Sequence, residues 1–278
     1  MKTLEKPVEN AVGYRYIDEG KVHMHSYNNK PLIGTSSVVD IIAKTLHWWS
    51  AELSAVECLE AGEHIPTIRE EYLAIAKLPY AQKNVGIDAL QKKYPIFKKA
   101  RYAHHEKKNE TAGTGTDMHA ELEEYVKDCL IANKVLAHKT SGEESKALTF
   151  FVDWSLANVK MFKWAEGHCY AKEAWVGGIC DCGAEMNDGK IAIFDFKSAK
   201  EAYYGYFVQV AGYALEIEEN GVLDREGRVI LKLEKLIEAL YVVPFGAEDP
   251  TPRVRYNVED LKVDFLAACR LYKGNENN

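Results

Sequence analysis

The stretch VGGICDCGAEMNDGKIAIFDFKS, residues 176–198, limits the fold more than any other part of this chain. Two runs of β-branched, small and aromatic residues flank Asn187-Asp188-Gly189, a tripeptide that tolerates the positive φ values of a tight turn. The segment therefore predicts a β-hairpin. Antiparallel pairing centred on Asp188 sets residues equally far on either side opposite one another, so Asp181 and Asp195 lie side by side. In the second run the strand period of two puts Ile191, Ile193, Asp195 and Lys197 on one face, with Ala192, Phe194, Phe196 and Ser198 on the other. Two carboxylates held this close repel unless a cation or a shared proton lies between them, and oxygen-rich sites of this kind suit Mg²⁺ or Mn²⁺. The adjacent lysine suits an anionic substrate.

The rest of the chain organises around that hairpin. A short β-prone opening, Gly13 to Ile33, precedes apolar-periodic segments with helical spacing, SSVVDIIAKTLHWWSAELSAVECLEAG and the run from Ile68 to Lys108. The best seam is NETAGTG, residues 109–115, which divides a mostly helical region at 1–110 from a second region at 111–278. After it, Thr116 or Asp117 can cap a helix carrying MHAELEEYVKDCLIAN, and Ser141 can start another through Val159. From about His168 the period becomes β-like. A helix follows over YYGYFVQVAGYALEIEEN, then a strand LIEALYVVPF and a last helix VEDLKVDFLAACRLYK. The order predicts an α/β or α+β fold with a mixed sheet flanked by helices.

Hydrophobic residues make up 47% of the 278 and charged residues 28%, the composition of an ordinary globular chain. No apolar run approaches the roughly 20 residues that span a bilayer, and the start MKTLEKPVEN has no apolar stretch behind its charges. Neither membrane insertion nor secretion is expected. The six cysteines show no C-x-x-C pair and read as reduced thiols of an intracellular protein. Cys180 and Cys182, two apart, are expected on one side of a strand. The net charge of −7 disfavours a protein that coats nucleic acid. Residues 91–110, however, hold seven Lys or Arg against two Glu, a solvated helix face or a local phosphate-binding segment.

Asp181 with Asp195-Phe196-Lys197 resembles the D…DxK signature of the PD-(D/E)XK nuclease superfamily, in its RecB-like branch. Gly177-Gly178 stands ahead of Asp181 as in the family's G-x-x-D strand, and Ser198 follows the lysine. GTGTDMH, ending at His119, is similar to the G-T-x-x-H helix start, and Gln209 with Tyr213 to the Q-x-x-x-Y helix. Within the branch the wording is closest to the exonuclease family that serves mitochondrial genome maintenance and has phage and bacterial relatives. That likeness is good over 113–220 and faint over 25–60, where SSVVDIIAK carries Val39 in place of a threonine.

The resemblance implies a restriction-endonuclease-like core and a metal-dependent DNA exonuclease active in repair, recombination or phage DNA metabolism. His119, Asp181, Asp195 and the Phe196 carbonyl would hold Mg²⁺ or Mn²⁺, and Lys197 would orient the attacking water and neutralise transition-state charge. Ser198, Gln209 and Tyr213 would contact or support the substrate, with Lys98, Lys99 and Arg101 contacting phosphates. The helical region at 1–110 would form a wall or arch over the site. An iron–sulfur cluster, which related nucleases hold with one early and three late cysteines, is not expected, because Cys269 stands alone in the tail. Two alternatives stay open: a structure-specific endonuclease on the same core, and a DNA-binding or assembly protein that does not cleave. Polarity, strand preference, DNA against RNA, and the place of Glu173 are also open.

Overall fold

The computed structural model describes residues 9–10, 13–19, 22–40, 42, 65–138 and 145–276. The strands are β1 (Glu9–Asn10), β2 (Tyr14–Glu19), β3 (Val22–Tyr27), β4 (Lys30–Pro31), β5 (Ile33–Gly34), β6 (Val159–Ala171), β7 (Val176–Met186), β8 (Ile191–Lys197), β9 (Val222–Leu223), β10 (Arg228–Leu231), β11 (Ile237–Pro244) and β12 (Arg253–Arg255). The helices are α1 (Thr35–Val39), α2 (Ile65–Ala76), α3 (Tyr80–Lys93), α4 (Pro95–Ala132), α5 (Lys146–Asn158), α6 (Tyr204–Asn220) and α7 (Val258–Glu276). The chain divides into two compact units, one of Met1–Ala43 with Gly115–Asn278 and one of Lys44–Thr114. Residues 1–43 thus group with the hairpin rather than with the helical segment expected to extend from 1 to 110.

The larger unit carries a mixed sheet in the order β1-β10-β9-β6-β7-β8-β11-β12, with β5 added beside β7. The expected hairpin is β7 and β8, paired Cys182 to Phe194, Gly183 to Ile193 and Ala184 to Ala192. Gly189 takes φ +85° in its turn. Strand β11 runs parallel to β8, joined to it through α6, since parallel neighbours need a long crossover. Helices cover both faces. On one side α1, α6 and α7 pack through Val38, Phe207, Val210, Ile217, Leu261 and Phe265 against Ile191, Ile193, Leu240 and Val242. On the other, the end of α4 and all of α5 pack through Leu122, Tyr125, Leu148 and Phe151 against Ala192, Phe194, Phe196 and Tyr241. Successive residues of β8 thus enter opposite layers, which is why its first four residues, Ile191 to Phe194, read as a continuous apolar run.

Three sequence expectations change. The glycine-rich stretch 109–115 does not end a helix: α4 runs through it without a cap at Thr116 or Asp117. Glycine costs a helix interior about 1 kcal/mol, too little to stop one that carries no proline after its first residue. Ser141 lies outside the described residues, and α5 begins at Lys146, where Ser145 caps it by accepting a hydrogen bond from the Leu148 N–H at 3.2 Å. The β region starts at Val159 rather than near His168, and the lysines of VKMFKWAEG conceal the alternation of its first half.

Of the smaller unit, α2, α3 and the start of α4 are described. Ile68, Leu90 and Ala100 are buried in it, and Glu71 accepts from Lys93 at 2.7 Å and from the Tyr94 hydroxyl at 2.8 Å. No helix among the described residues is long and apolar enough to cross a membrane.

Candidate functional site

Asp195 and Lys197 occupy the end of β8, on the face whose preceding members, Ile191 and Ile193, pack under α6. The Asp195 side chain is 3% exposed and that of Lys197 21%, and the Lys197 ammonium donates to Oδ1 at 2.9 Å. Oδ2 lies 2.8 Å from the same nitrogen, yet it is buried and receives no hydrogen bond of good geometry. Burial pushes the Asp195 carboxyl well up from the carboxylate range; Lys197 pulls it back in part and Asp181 adds to the rise. Burial lowers Lys197, but the charges of Asp195 and Asp181 outweigh that effect and hold it above its ordinary value. The Tyr206 ring lies 5.4 Å from the ammonium.

Asp181 stands across the hairpin, next to Cys182, whose partner Phe194 precedes Asp195. One of its oxygens accepts the Phe196 N–H at 2.5 Å and the other lies 3.2 Å from Nε2 of His119. His119 reaches in from α4, its ring edge-on to Phe196 at 5.6 Å. Burial lowers the imidazole, and the hydrogen bond and charge of Asp181, with Asp195 and Glu123 behind it, reverse that and raise it. The exposures run from 34% at His119 through 13% at Asp181 to 3% at Asp195, so the site opens at the imidazole and closes on the β8 carboxylate.

The strand is distorted here. Cys180 packs in the layer under α6 and Cys182 in the layer under α4 and α5, so the two do not share a side as their spacing suggests. The alternation breaks at Asp181. Its neighbour across β6 is Glu166, at φ +48° between the Ala165–Cys182 and Gly167–Cys180 pairs. A local irregularity of this kind re-aims one side chain, and it lets Asp181 meet a helix on one side of the sheet.

Other expected residues fall outside this group. Ser198 is exposed just past β8. Gln209 and Tyr213 are each 5% exposed, with the Gln209 amide donating to the tyrosine hydroxyl at 2.6 Å. Both side chains are thus buried and partnered with each other as the structure stands. Lys98 and Lys99 are exposed on the portion of α4 in the smaller unit, and the Arg101 side chain lies outside those described. Glu173 is in the β6–β7 turn, ahead of β7, whereas Asp181 is midway along that strand, and Glu173 stays out of the site.

Sequence reasoning missed Glu123, Lys127 and Glu166. Lys127 pairs with Glu123 and, at 2.9 Å, with Glu166. The i+4 spacing from His119 to Glu123 was a legible signal; Glu166 had none, because its part of β6 does not read as a strand.

Two carboxylates, an imidazole and a backbone carbonyl form a donor set suited to a hard divalent cation, and the buried Oδ2 of Asp195 faces only the Lys197 ammonium, without a hydrogen bond of good geometry. As the side chains stand they are partnered with one another. Among the described residues no group of three or more His, Cys, Asp or Glu side chains is placed to hold a metal ion. No protein-family profile matches the chain, and no curated protein matches it at a significant level.

Proposed function

We propose that this chain is a metal-dependent nuclease of the PD-(D/E)XK type, hydrolysing phosphodiester bonds of DNA from strand ends, in an intracellular setting. The observation that carries the reading is the meeting of Asp181, Asp195, Lys197 and His119 beside the β7–β8 hairpin, with one Asp195 oxygen buried and, beyond its ion pair with Lys197, without a hydrogen bond of good geometry. His119, Asp181, Asp195 and the Phe196 carbonyl would hold Mg²⁺ or Mn²⁺. When bound, the ion supplies Lewis acidity toward the phosphoryl oxygen and lowers the pKa of the attacking water. Lys197, positively charged beside Asp195, neutralises charge that grows on the phosphoryl group and orients the water. Burial of Asp195 strengthens each of these electrostatic contacts, because little water screens them. Gln209 and Tyr213 hold α6 and the strand beneath the site in place.

Preference for ends rests on the sequence resemblance rather than on the chemistry of the site. A second reading, a DNA-binding or assembly protein without cleavage, is favoured by one observation: among the described residues no group of three or more His, Cys, Asp or Glu side chains is placed to hold a metal ion. Incubating end-labelled single- and double-stranded linear DNA with the protein in Mg²⁺, Mn²⁺ and EDTA separates the two. Metal-dependent shortening of the strand is expected. Binding with no cleavage in either metal would establish the second reading instead.

A further inference from the structure

A cavity of about 360 Å³ lies on the other side of β11 from the candidate site, lined by Lys200, Glu201, Phe207, Pro244, Arg253 and Arg255 among others. Its position follows from the register. Asp195 is level with Val242 on parallel β11, and Val242 with Arg253 on β12, so one row crosses three strands. Val242 and Leu240 pack under α6, on the face of Ile193; Arg253 and Arg255, opposite these two, project on that same face. Lys197 is level with Pro244, which lines the cavity. At about 4.8 Å between neighbouring strands, β12 is roughly 10 Å from β8. A nucleic-acid strand covers that in about three nucleotides at roughly 3.4 Å of rise each.

The lining holds three cations against the single carboxylate of Glu201. Arg253 is partly engaged, with Asp249 at 3.0 Å and the Thr251 carbonyl at 3.0 Å. Arg255 lies over the Phe207 ring at 5.3 Å, an apolar rest that fixes the guanidinium without neutralising it. Lys200 and Arg255 form no ion pair with any described residue. The cavity is also at the carboxyl ends of a parallel strand pair, where open sheets leave a crevice for ligands.

We infer that the cavity bounded by Lys200, Arg253 and Arg255 is a subsite for a backbone phosphate of the nucleic-acid substrate, which would run across the ends of β8, β11 and β12. The inference rests on the proposed nuclease function and adds the strand's path to it. Arg255 and Lys200 take the phosphate charge; Arg253 borders them.

The test is binding of a labelled single-stranded DNA oligonucleotide to the full chain by fluorescence anisotropy, in EDTA so that nothing is cut, over a series of salt concentrations. Lys200→Gln with Arg255→Gln should raise Kd about tenfold or more and flatten the salt slope by about 0.7 for each phosphate that is no longer neutralised. Arg255→Lys alone, which keeps the charge, should retain most of the slope. Cleavage by the unaltered protein in Mg²⁺ and Mn²⁺ is measured beside it. If the double variant binds with the original Kd and slope while the unaltered protein cleaves, the subsite is wrong and the nuclease function stands. If both substitutions weaken binding but the unaltered protein never cleaves, hydrolysis is wrong and the subsite stands.

Discussion

Asp195 and Lys197 are two residues apart on one strand face, and they differ in burial, the carboxylate being almost wholly enclosed and the ammonium partly exposed. Under the proposed function, Lys197→Ala removes the cation beside the reacting phosphoryl group and leaves the other side chains in place. Turnover should fall about 10²-fold or more, with oligonucleotide affinity changed only modestly. Single-turnover kinetics with a parallel binding titration would show it, and undiminished turnover would mean that Lys197 takes no part. Glu216 makes a second prediction. It is fully buried on α6, where Thr35 donates to Oε1 at 2.5 Å and Oε2 has no hydrogen-bond partner. Beside it the Cys169 thiol directs its hydrogen to the Gly178 carbonyl at 3.5 Å. Burial pushes this carboxyl up to about 7. A raised value means that the folded state binds the proton more tightly, so the stabilising contribution is complete below the unfolded pKa of about 4.3 and is lost as pH rises toward 7. Denaturant melts of the wild type and Glu216→Gln across pH 4 to 8 should differ by roughly 3 kcal/mol between the two ends of that window, the glutamine variant lacking the decline. Parallel pH profiles for the two proteins would refute the assignment.

At the scale of elements, β6 and β7 form the longest pairing among the described strands, and they fit because a glycine faces a tryptophan. Gly183 is level with Trp164, and a Cβ at Gly183 would stand 2.1 Å from the indole ring. Trp164 is 2% exposed, so the ring has nowhere to withdraw. Gly183→Ala should therefore destabilise the fold by roughly 1–3 kcal/mol, the usual consequence of forcing an extra methyl into a packed core. A fall in the denaturation midpoint with an unchanged m value would register it, and a midpoint within error of wild type would show that the pair packs more loosely than this geometry requires. Asp181 lies two residues before Gly183, so cleavage by this variant should also suffer more than its residual stability explains.

For the whole molecule, the decisive property is whether a substrate without ends can be used. The proposed exonuclease should degrade linear single strands and leave covalently closed single-stranded circles intact when both are supplied with Mg²⁺ or Mn²⁺. Gel analysis of the two substrates decides it: similar rates on both would replace the exonuclease with the endonuclease on the same core. The division of the chain into two units bears on this only through the residues each contributes, and the whole of the candidate site, His119 included, belongs to the larger one.

The sequence by itself determined the hairpin, its register and the partition of β8 between two layers, because turn chemistry and a period of two are local properties of the chain. Asp181, Asp195 and Lys197 could be placed together on that basis alone. His119 was legible only through its place in GTGTDMH; its contact with Asp181 depends on how α4 packs on the sheet, and no spacing within the sequence encodes that. The tertiary structure alone decided the break in alternation at Asp181, the burial of Gln209 and Tyr213, and the approach of Glu166 from a strand hidden among lysines. Burial and side-chain direction are set by neighbours far away in the chain, and they are the properties that turn a row of residues into a site.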